Sequence, residues 1–119
     1  MQEYNFKILE ISCGSAKEAV NVNRTGAWLV VSGVLNVPDP CYTLKFFPEY
    51  DKENNVLKIN IKAYKFKVFC IKCLAKAKFQ MMFNIMHLRN KFESSKIKIQ
   101  INYYVRGKTA EFINEEIEI

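Results

Sequence analysis

The sequence predicts an all-β domain, built as a two-sheet sandwich of about seven strands. Apolar and polar side chains alternate with a period of two along most of the chain, which is typical of strands that bury one face. Clusters of strand-breaking and turn-forming residues interrupt this alternation at 38–40 (Pro-Asp-Pro) and 51–55 (Asp-Lys-Glu-Asn-Asn). The length of 119 residues fits one hydrophobic core, so we expect a single domain over residues 1–119.

Seven segments have the pattern of strands. Ala27 to Val37 is apolar in both phases of the alternation, as expected of a central strand that is covered on both sides. The predicted strands are 4–11, 27–37, 41–47, 57–64, 77–85, 96–105 and 109–119. Residues 12–26 are small and polar, and Ser15-x-x-Glu18 has the spacing that caps one short helical turn.

One stretch has two periodicities at once. Cys70, Cys73, Leu74, Ala77 and Met81 fall at i, i+3, i+4, i+7 and i+11, which is the stripe of an amphipathic helix. A helix over 70–82 would make the fold α+β. We favour a strand, because the same region also alternates with a period of two.

The last two strands allow a register to be predicted. A three-residue turn over 106–108 is a common hairpin loop, with glycine available for the left-handed conformation. The pairs that it sets opposite one another are Ile101 with Ile113, Gln100 with Asn114, Lys98 with Glu116, Ile97 with Ile117 and Lys96 with Glu118. Ile99 opposite Glu115 and Asn102 opposite Phe112 fit less well, so a bulge is the alternative.

The four cysteines allow several interpretations. A disulfide from Cys41 to Cys70 or Cys73 would close a loop of about 30 residues, and we favour it. Structural zinc sites usually pair two Cys-x-x-Cys hooks, and here only Cys70-x-x-Cys73 is such a hook. A redox pair would need a helix N-terminus in a βαβ setting, and buried inert thiols are the remaining interpretation. We expect no metal and no other cofactor.

A resemblance can be named on these residues. The stretch from Val31 to Tyr42, VSGVLNVPDPCY, precedes an alternating strand and then Cys70-Ile-Lys-Cys73. It resembles small, uncharacterised prokaryotic immunoglobulin-like β-sandwich domains, in which a P-x-P-C-Y turn precedes a strand and a later strand opens with a second cysteine. The resemblance covers residues 28–88 and implies an immunoglobulin-like sandwich without implying an activity. Cys13 and Cys73 are additional to its two-cysteine form.

The candidates for catalysis are few, and we expect no enzyme. His87 is the only histidine, and it stands near the predicted end of a strand, outside any recognisable nucleophile–histidine motif. The four glycines are isolated, so the sequence has no glycine-rich phosphate loop.

Positive charge is concentrated in the second half of the chain. Between Lys58 and Lys108 there are 13 lysines and arginines and one acid, Glu93. Cations alternate with polar and aromatic residues on two predicted strands, a pattern that could hold phosphates and stack bases. The candidates for this basic face are Lys58, Lys62, Lys96, Lys98 and Arg106.

These patterns favour a non-enzymatic module that binds another protein or itself. The aromatics beside one turn are the candidates for partner contact: Tyr42, Phe46, Phe47 and Tyr50. The alternative for them is burial in the core. The alternative functions are nucleic-acid binding through the lysine-rich sheet and protease inhibition by a presented loop. No segment predicts a membrane span. The localisation stays open between the cytoplasm of a thermophile, which the composition suggests, and export with a leader removed.

Overall fold

The computed structural model describes residues 4–119, apart from the side chains of residues 113 and 114. Its elements are β1 (Tyr4–Cys13), β2 (Ala19–Thr25), β3 (Trp28–Val37), β4 (Tyr42–Asp51), β5 (Val56–Lys65), β6 (Ala75–Asn84), α1 (Ile85–Lys91), β7 (Lys96–Val105) and β8 (Lys108–Glu118). The strands form two packed four-stranded sheets, in the orders β1-β6-β3-β2 and β4-β5-β7-β8. The prediction of an all-β, two-sheet sandwich is therefore confirmed.

Three hairpins and three crossings between the sheets produce this order; the crossings run from β3 to β4, from β5 to β6 and from β6 to β7. The pairs β2–β3, β4–β5 and β7–β8 are antiparallel hairpins. After β5 the chain crosses to the first sheet, where β6 lies between β1 and β3, and it returns through α1 to β7. The neighbours β5 and β7 are consequently parallel. Immunoglobulin constant domains also consist of two packed sheets, but their strand orders are ABED and CFG. The strand order of this chain is different.

The core lies between the two sheets. On β5, for example, Ile59 is fully buried, whereas its neighbours Lys58 and Asn60 face outward. Burial of one such large apolar side chain contributes about 1.5–3 kcal/mol, so this layer is the main source of stability. Its largest fully buried members are Tyr103, Phe79, Phe83, Leu29, Leu35, Leu57, Ile59, Ile61, Met81, Leu88, Ile97 and Ile99.

A hydrogen bond joins the sheets across this core. The hydroxyl of Tyr103 on β7 donates to the backbone carbonyl of Asn36 on β3 at 2.7 Å. Burial raises the pKa of Tyr103, and the nearby carboxylate of Glu18 raises it further. The Asn36 side chain also bonds the backbone of Ala16 in both directions, at 3.0 and 2.7 Å. Asn36 therefore fixes the loop before β2 and the position of Tyr103 together.

The segment 12–26, which gave no predicted strand, contains β2. Val20 and Val22 face inward and alternate with Asn21 and Asn23, and a turn at Gly26 (φ +59°) returns the chain into β3. Glu18 caps no helix, because its carboxylate accepts from the backbone N–H of Asn36 at 3.0 Å. The alternation in this segment is short, and asparagines occupy its polar phase.

The helical stripe at 70–82 forms no helix, since β6 begins at Ala75 and pairs with β1 and β3. A helix does occur immediately afterwards, at Ile85–Lys91. Asn84 caps it by accepting from the backbone N–H of Met86 at 2.9 Å. His87 therefore lies on this short helix and not at a strand end. The expectation that β3 is covered on both sides is also wrong, because its outward residues stay half-exposed.

The predicted register of the last hairpin is correct in one half and wrong in the other. Gln100 lies opposite Asn114, Lys98 opposite Glu116 and Lys96 opposite Glu118, as predicted. A shift between Gln100 and Ile101 then sets Ile101 opposite Phe112 and not opposite Ile113. The turn consequently has two residues, Arg106 and Gly107, with φ of +47° and +73°. Positive φ at both positions matches the right-handed twist of a hairpin, which explains why the shorter turn with a bulge is preferred.

Candidate functional site

The nine residues 66–74, FKVFCIKCL, connect β5 in the second sheet to β6 in the first, and we call them the tethered segment. They contain neither strand nor helix. The backbone N–H of Phe66 donates to Cys41 O at 2.9 Å, and the N–H of Gly14 donates to Leu74 O at 2.7 Å. Both ends of the segment are therefore held by backbone hydrogen bonds to other loops.

Two disulfides hold the segment in the middle. Cys70 is bonded to Cys41 and Cys73 to Cys13, with Cα–Cα distances of 5.8 and 5.7 Å. The predicted disulfide is confirmed for Cys41 with Cys70. Cys73 is bonded instead to Cys13, because Cys13 ends β1 beside the start of β6. The four-cysteine zinc site is incompatible with this pairing, because all four sulfurs are used in bonds.

The tethered segment exposes large apolar side chains to solvent. Phe69 is 91% exposed, Val68 83% and Ile71 75%, and Phe66 and Leu74 are also exposed. Soluble proteins seldom expose contiguous apolar groups of this kind unless they mark an interaction site. None of these side chains belongs to the core cluster, and the disulfides fix the backbone of Cys70 and Cys73 at the strand ends, which keeps these side chains outside.

Cations surround the tethered segment at one end of the sandwich. We define the cationic end as residues 14–18, 38–41, 65–74 and 105–108, which the strand ends and loops bring together. Its cations are Lys17, Lys65, Lys67, Lys72, Arg106 and Lys108. Its two acids are both engaged: Glu18 holds the backbone of Asn36, and Asp39 lies 3.6 Å from Lys65 Nζ. The opposite end, 25–28, 51–55, 84–95 and 118–119, has three cations and four acids.

The outer face of the second sheet carries an open groove of about 750 Å³. Side chains of β4, β5 and β7 line it: Phe47, Glu49, Lys58, Asn60, Lys62, Asn102 and Tyr104. Its floor is a row of amides, because Asn60 donates to Phe47 O at 3.4 Å and Asn102 donates to Asn60 Oδ1 at 3.2 Å. The groove therefore combines two lysines and two aromatic rings with one carboxylate.

Two lysines on this face lie directly opposite one another. Lys45 on β4 pairs with Lys62 on β5, and like charges in this relation destabilise a sheet. Each ammonium instead lies over an aromatic ring, Lys45 Nζ at 4.6 Å from the Tyr64 centroid and Lys62 Nζ at 5.4 Å from that of Phe47. These cation–π contacts offset part of the repulsion and hold the lysines against the sheet.

The predicted basic-face residues all lie on or beside this outer face, but in different surroundings. Lys58 and Lys62 line the groove. Lys96 and Lys98 lie opposite carboxylates of β8 in the sheet register. Arg106 is in the last hairpin turn, where its Nε donates to the hydroxyl of Tyr42 at 3.4 Å.

The four predicted contact aromatics are divided between the two faces of β4. Phe47 faces outward and is 45% exposed. Phe46 faces inward, with its ring centroid 5.4 Å from that of Phe79, and Tyr50 packs against His87 and Phe92. Tyr42 is half-buried beside Arg106 and Lys65. Phe46 and Tyr50 are therefore partly buried against the core, which is close to the alternative that the sequence allowed.

Comparison of the chain with protein-family models, with curated proteins and with solved structures gives no significant match. The resemblance to prokaryotic immunoglobulin-like domains therefore stays a prediction. No helix in the part of the chain that the structure describes is long and apolar enough to cross a membrane.

The tethered segment is the feature that sequence reasoning missed. The sequence pattern places Leu74 in the helical stripe and assigns Phe66, Val68, Phe69 and Ile71 to no element. A signal was present, because Phe66, Val68, Phe69 and Ile71 stand beside Lys67 and Lys72 without a regular period. Irregular apolar residues beside two cysteines are typical of a constrained loop and not of a core element.

Proposed function

We propose that this domain is a non-enzymatic docking module, which attaches to a partner surface through the tethered segment. The observation that carries the proposal is the near-complete exposure of Phe69 in a segment held by two disulfides. A constrained segment loses little conformational entropy on binding, so its exposed apolar side chains are efficient anchors. The sequence favours a protein partner or a second copy of this chain. The tethered segment supplies the surface through which the domain would attach to either of these or to another partner surface.

Site-directed photo-cross-linking in the native cell tests this proposal. Benzoylphenylalanine replaces Phe69 in one variant and Met86 in the control. Met86 is 63% exposed, and it lies on α1 at the opposite end of the sandwich. We expect adducts, whether with a protein or with lipid, to concentrate at position 69. Equal adduct yields at the two positions, or none at position 69, would contradict docking through the tethered segment.

The groove on the second sheet favours a second candidate function, the binding of single-stranded nucleic acid. Phe47 and Tyr104 offer ring faces for stacking, and Lys58 and Lys62 offer charge to phosphates. Glu49 in the same groove weakens that charge. We therefore place this function second.

A further inference from the structure

We propose that the cationic end docks on a bilayer surface that contains anionic lipids, with the tethered segment in the interfacial layer. This inference rests on the proposed function, because it names the surface to which the segment attaches. It combines three observations: protruding apolar side chains, surrounding cations, and a difference in charge between the two ends of an elongated molecule.

The apolar side chains supply the part that enters the lipid. Val68, Phe69 and Ile71 are the most exposed large apolar residues of the segment. They lie at one end of a molecule that measures 47 by 26 by 23 Å, so end-on contact can immerse them without burying a sheet. Side chains of this kind drive peripheral proteins into the boundary between headgroups and acyl chains.

The backbone of the segment limits the depth of insertion. Residues 66–74 form no ladder of hydrogen bonds, and irregular backbone is not tolerated in contact with the hydrocarbon core. The segment therefore lies about 5–10 Å deep, at the level of the headgroups, where water and phosphates satisfy its polar groups.

The cations fit the headgroups at the same level. Lys67 and Lys72 are exposed and stand between the apolar residues of the segment, so their ammonium groups can reach phosphates while their stems stay beside the acyl chains. Lys17, Arg106 and Lys108 lie on neighbouring loops and strand ends. Attraction to an anionic leaflet falls off within a Debye length, so the cations at this end contribute far more to membrane binding than those at the opposite end.

This mixture of side chains favours a bilayer over a protein. Lysine is depleted in the buried centre of protein interfaces, where its charge must be desolvated. In the tethered segment Lys67 precedes Val68 and Lys72 follows Ile71, so the most exposed apolar residues have a lysine at each end. A protein interface centred on these residues would bring both charges to the edge of its buried centre. At a membrane interface the same arrangement is favourable, because the apolar side chains enter the boundary of the acyl chains while the ammonium groups stay among the headgroups.

Vesicle sedimentation with the oxidised full chain tests the proposal. Vesicles of phosphatidylcholine with about one-third phosphatidylserine are compared with phosphatidylcholine alone. We expect Lys67→Gln with Lys72→Gln to weaken binding to the anionic vesicles about 30-fold, since each lysine near such a surface contributes about fivefold. The charge-matched control, Lys52→Gln with Lys91→Gln at the opposite end, should change binding less than about twofold.

A second pair of variants tests the apolar part. Val68→Ser with Phe69→Ser should weaken binding about tenfold or more, whereas Leu9→Ser with Met86→Ser should not. Leu9 and Met86 are also exposed, at 58% and 63%, but lie outside the segment. Near-ultraviolet circular dichroism checks that each variant is folded.

Absence of binding by the wild-type chain, or equal binding by a test pair and its control pair, would overturn the lipid proposal. The cross-linking experiment separates this failure from failure of the proposed function. Protein adducts at position 69 without vesicle binding would retain a docking module and remove the lipid surface. No adducts at position 69 and no vesicle binding would remove both.

Discussion

Cys13 is bonded to Cys73, 60 residues further along the chain, and this bond encloses the loop that Cys41 and Cys70 close. Cys13 ends β1, and Cys73 lies two residues before β6, the strand with which β1 pairs. The two bonds thus hold the tethered segment to both sheets at once. We expect no labelled thiols in the unfolded, non-reduced protein and four after reduction. Two labelled thiols before reduction would mean that only one of the bonds forms.

Removing the longer disulfide should destabilise the fold measurably. In the chain-entropy model a bond that closes a loop of this length contributes about 4 kcal/mol, and measured values are commonly 2–4 kcal/mol. We expect Cys13→Ser with Cys73→Ser to lower the free energy of unfolding by about 2–4 kcal/mol, measured by guanidinium denaturation. The wild-type chain in reductant should lose at least as much. A change below about 0.5 kcal/mol would show that the bond is absent or strained.

The hydrogen bond between Tyr103 and Asn36 should be visible in stability. Tyr103→Phe leaves the Asn36 carbonyl in the core without its donor, which costs about 1–3 kcal/mol. Tyr64→Phe is the matched control, because its ring is exposed on the outer face. Equal losses in the two variants, measured by denaturant unfolding, would contradict a specific role for the Tyr103 hydroxyl.

The same hydroxyl should contribute to unfolding in alkali. Burial raises the pKa of Tyr103 in the folded state, so the folded protein keeps a proton that the unfolded chain releases near pH 10. The stabilisation is complete below that pH and is lost as the pH rises above it. Tyr103→Phe should therefore reduce the slope of stability against pH above pH 10. An unchanged slope would show that other titratable groups determine the loss of stability above pH 10.

Gly33 should tolerate no side chain, although it lies in regular β-structure. A Cβ there would overlap the carbonyl oxygen of Ala19 and lie 2.9 Å from Val20 Cα, both on the backbone of β2. Gly33→Ala therefore requires β2 and β3 to separate, and we expect it to destabilise the protein by about 1–3 kcal/mol. Ser32→Ala, one residue earlier on the outward face, should change stability much less. Thermal unfolding of both variants checks the difference.

Alternation in the sequence is sufficient to predict most of the fold. Each of the seven predicted segments overlaps a strand, because one-sided burial gives a period of two wherever a sheet has one wet face. The strand β2 was not predicted, because two valines, Val20 and Val22, are too few to give a recognisable alternation among small polar residues. A bulge in the last hairpin was an open alternative, but the favoured three-residue turn was wrong for another reason. From the sequence, Ile101 could pair with Ile113 or with Phe112. The positive φ angles of Arg106 and Gly107 match the twist of a two-residue hairpin turn, and this turn pairs Ile101 with Phe112.

The candidate site was harder to predict than the fold. Exposed Phe69 and partly buried Phe46 are the same residue type, and only the path of the backbone distinguishes them. The crossing from β5 to β6 between sheets places the tethered segment outside the core, and that crossing depends on long-range strand order. The outward lysines were predictable, since strand phase alone sends Lys58, Lys62 and Lys98 to the wet face.

Carboxylates on β8 lead to the last prediction, which concerns nucleic acid. Lys98 lies opposite Glu116, and Lys96 lies opposite Glu118. Exposed pairs of this kind contribute only about 0.2–1 kcal/mol each to stability, so their main effect is on the local field. A phosphate approaching these lysines meets a carboxylate on the adjacent strand. We therefore expect the wild-type chain to bind single-stranded nucleic acid weakly or not at all at physiological salt.

Glu116→Gln with Glu118→Gln should increase that binding, because it leaves Lys96 and Lys98 without adjacent negative charge. Fluorescence anisotropy with a labelled oligonucleotide, over a series of salt concentrations, measures both the affinity and its salt slope. The single variants Glu116→Gln and Glu10→Gln provide the matched comparison, since Glu10 is on β1 in the other sheet and lies 3.5 Å from Lys78 Nζ. Both lose one negative charge, so a gain restricted to Glu116→Gln assigns the effect to the second sheet. Tight binding by the wild-type chain with a steep salt slope would instead show that the β8 carboxylates fail to offset the lysines, and would place nucleic-acid binding ahead of docking through the tethered segment.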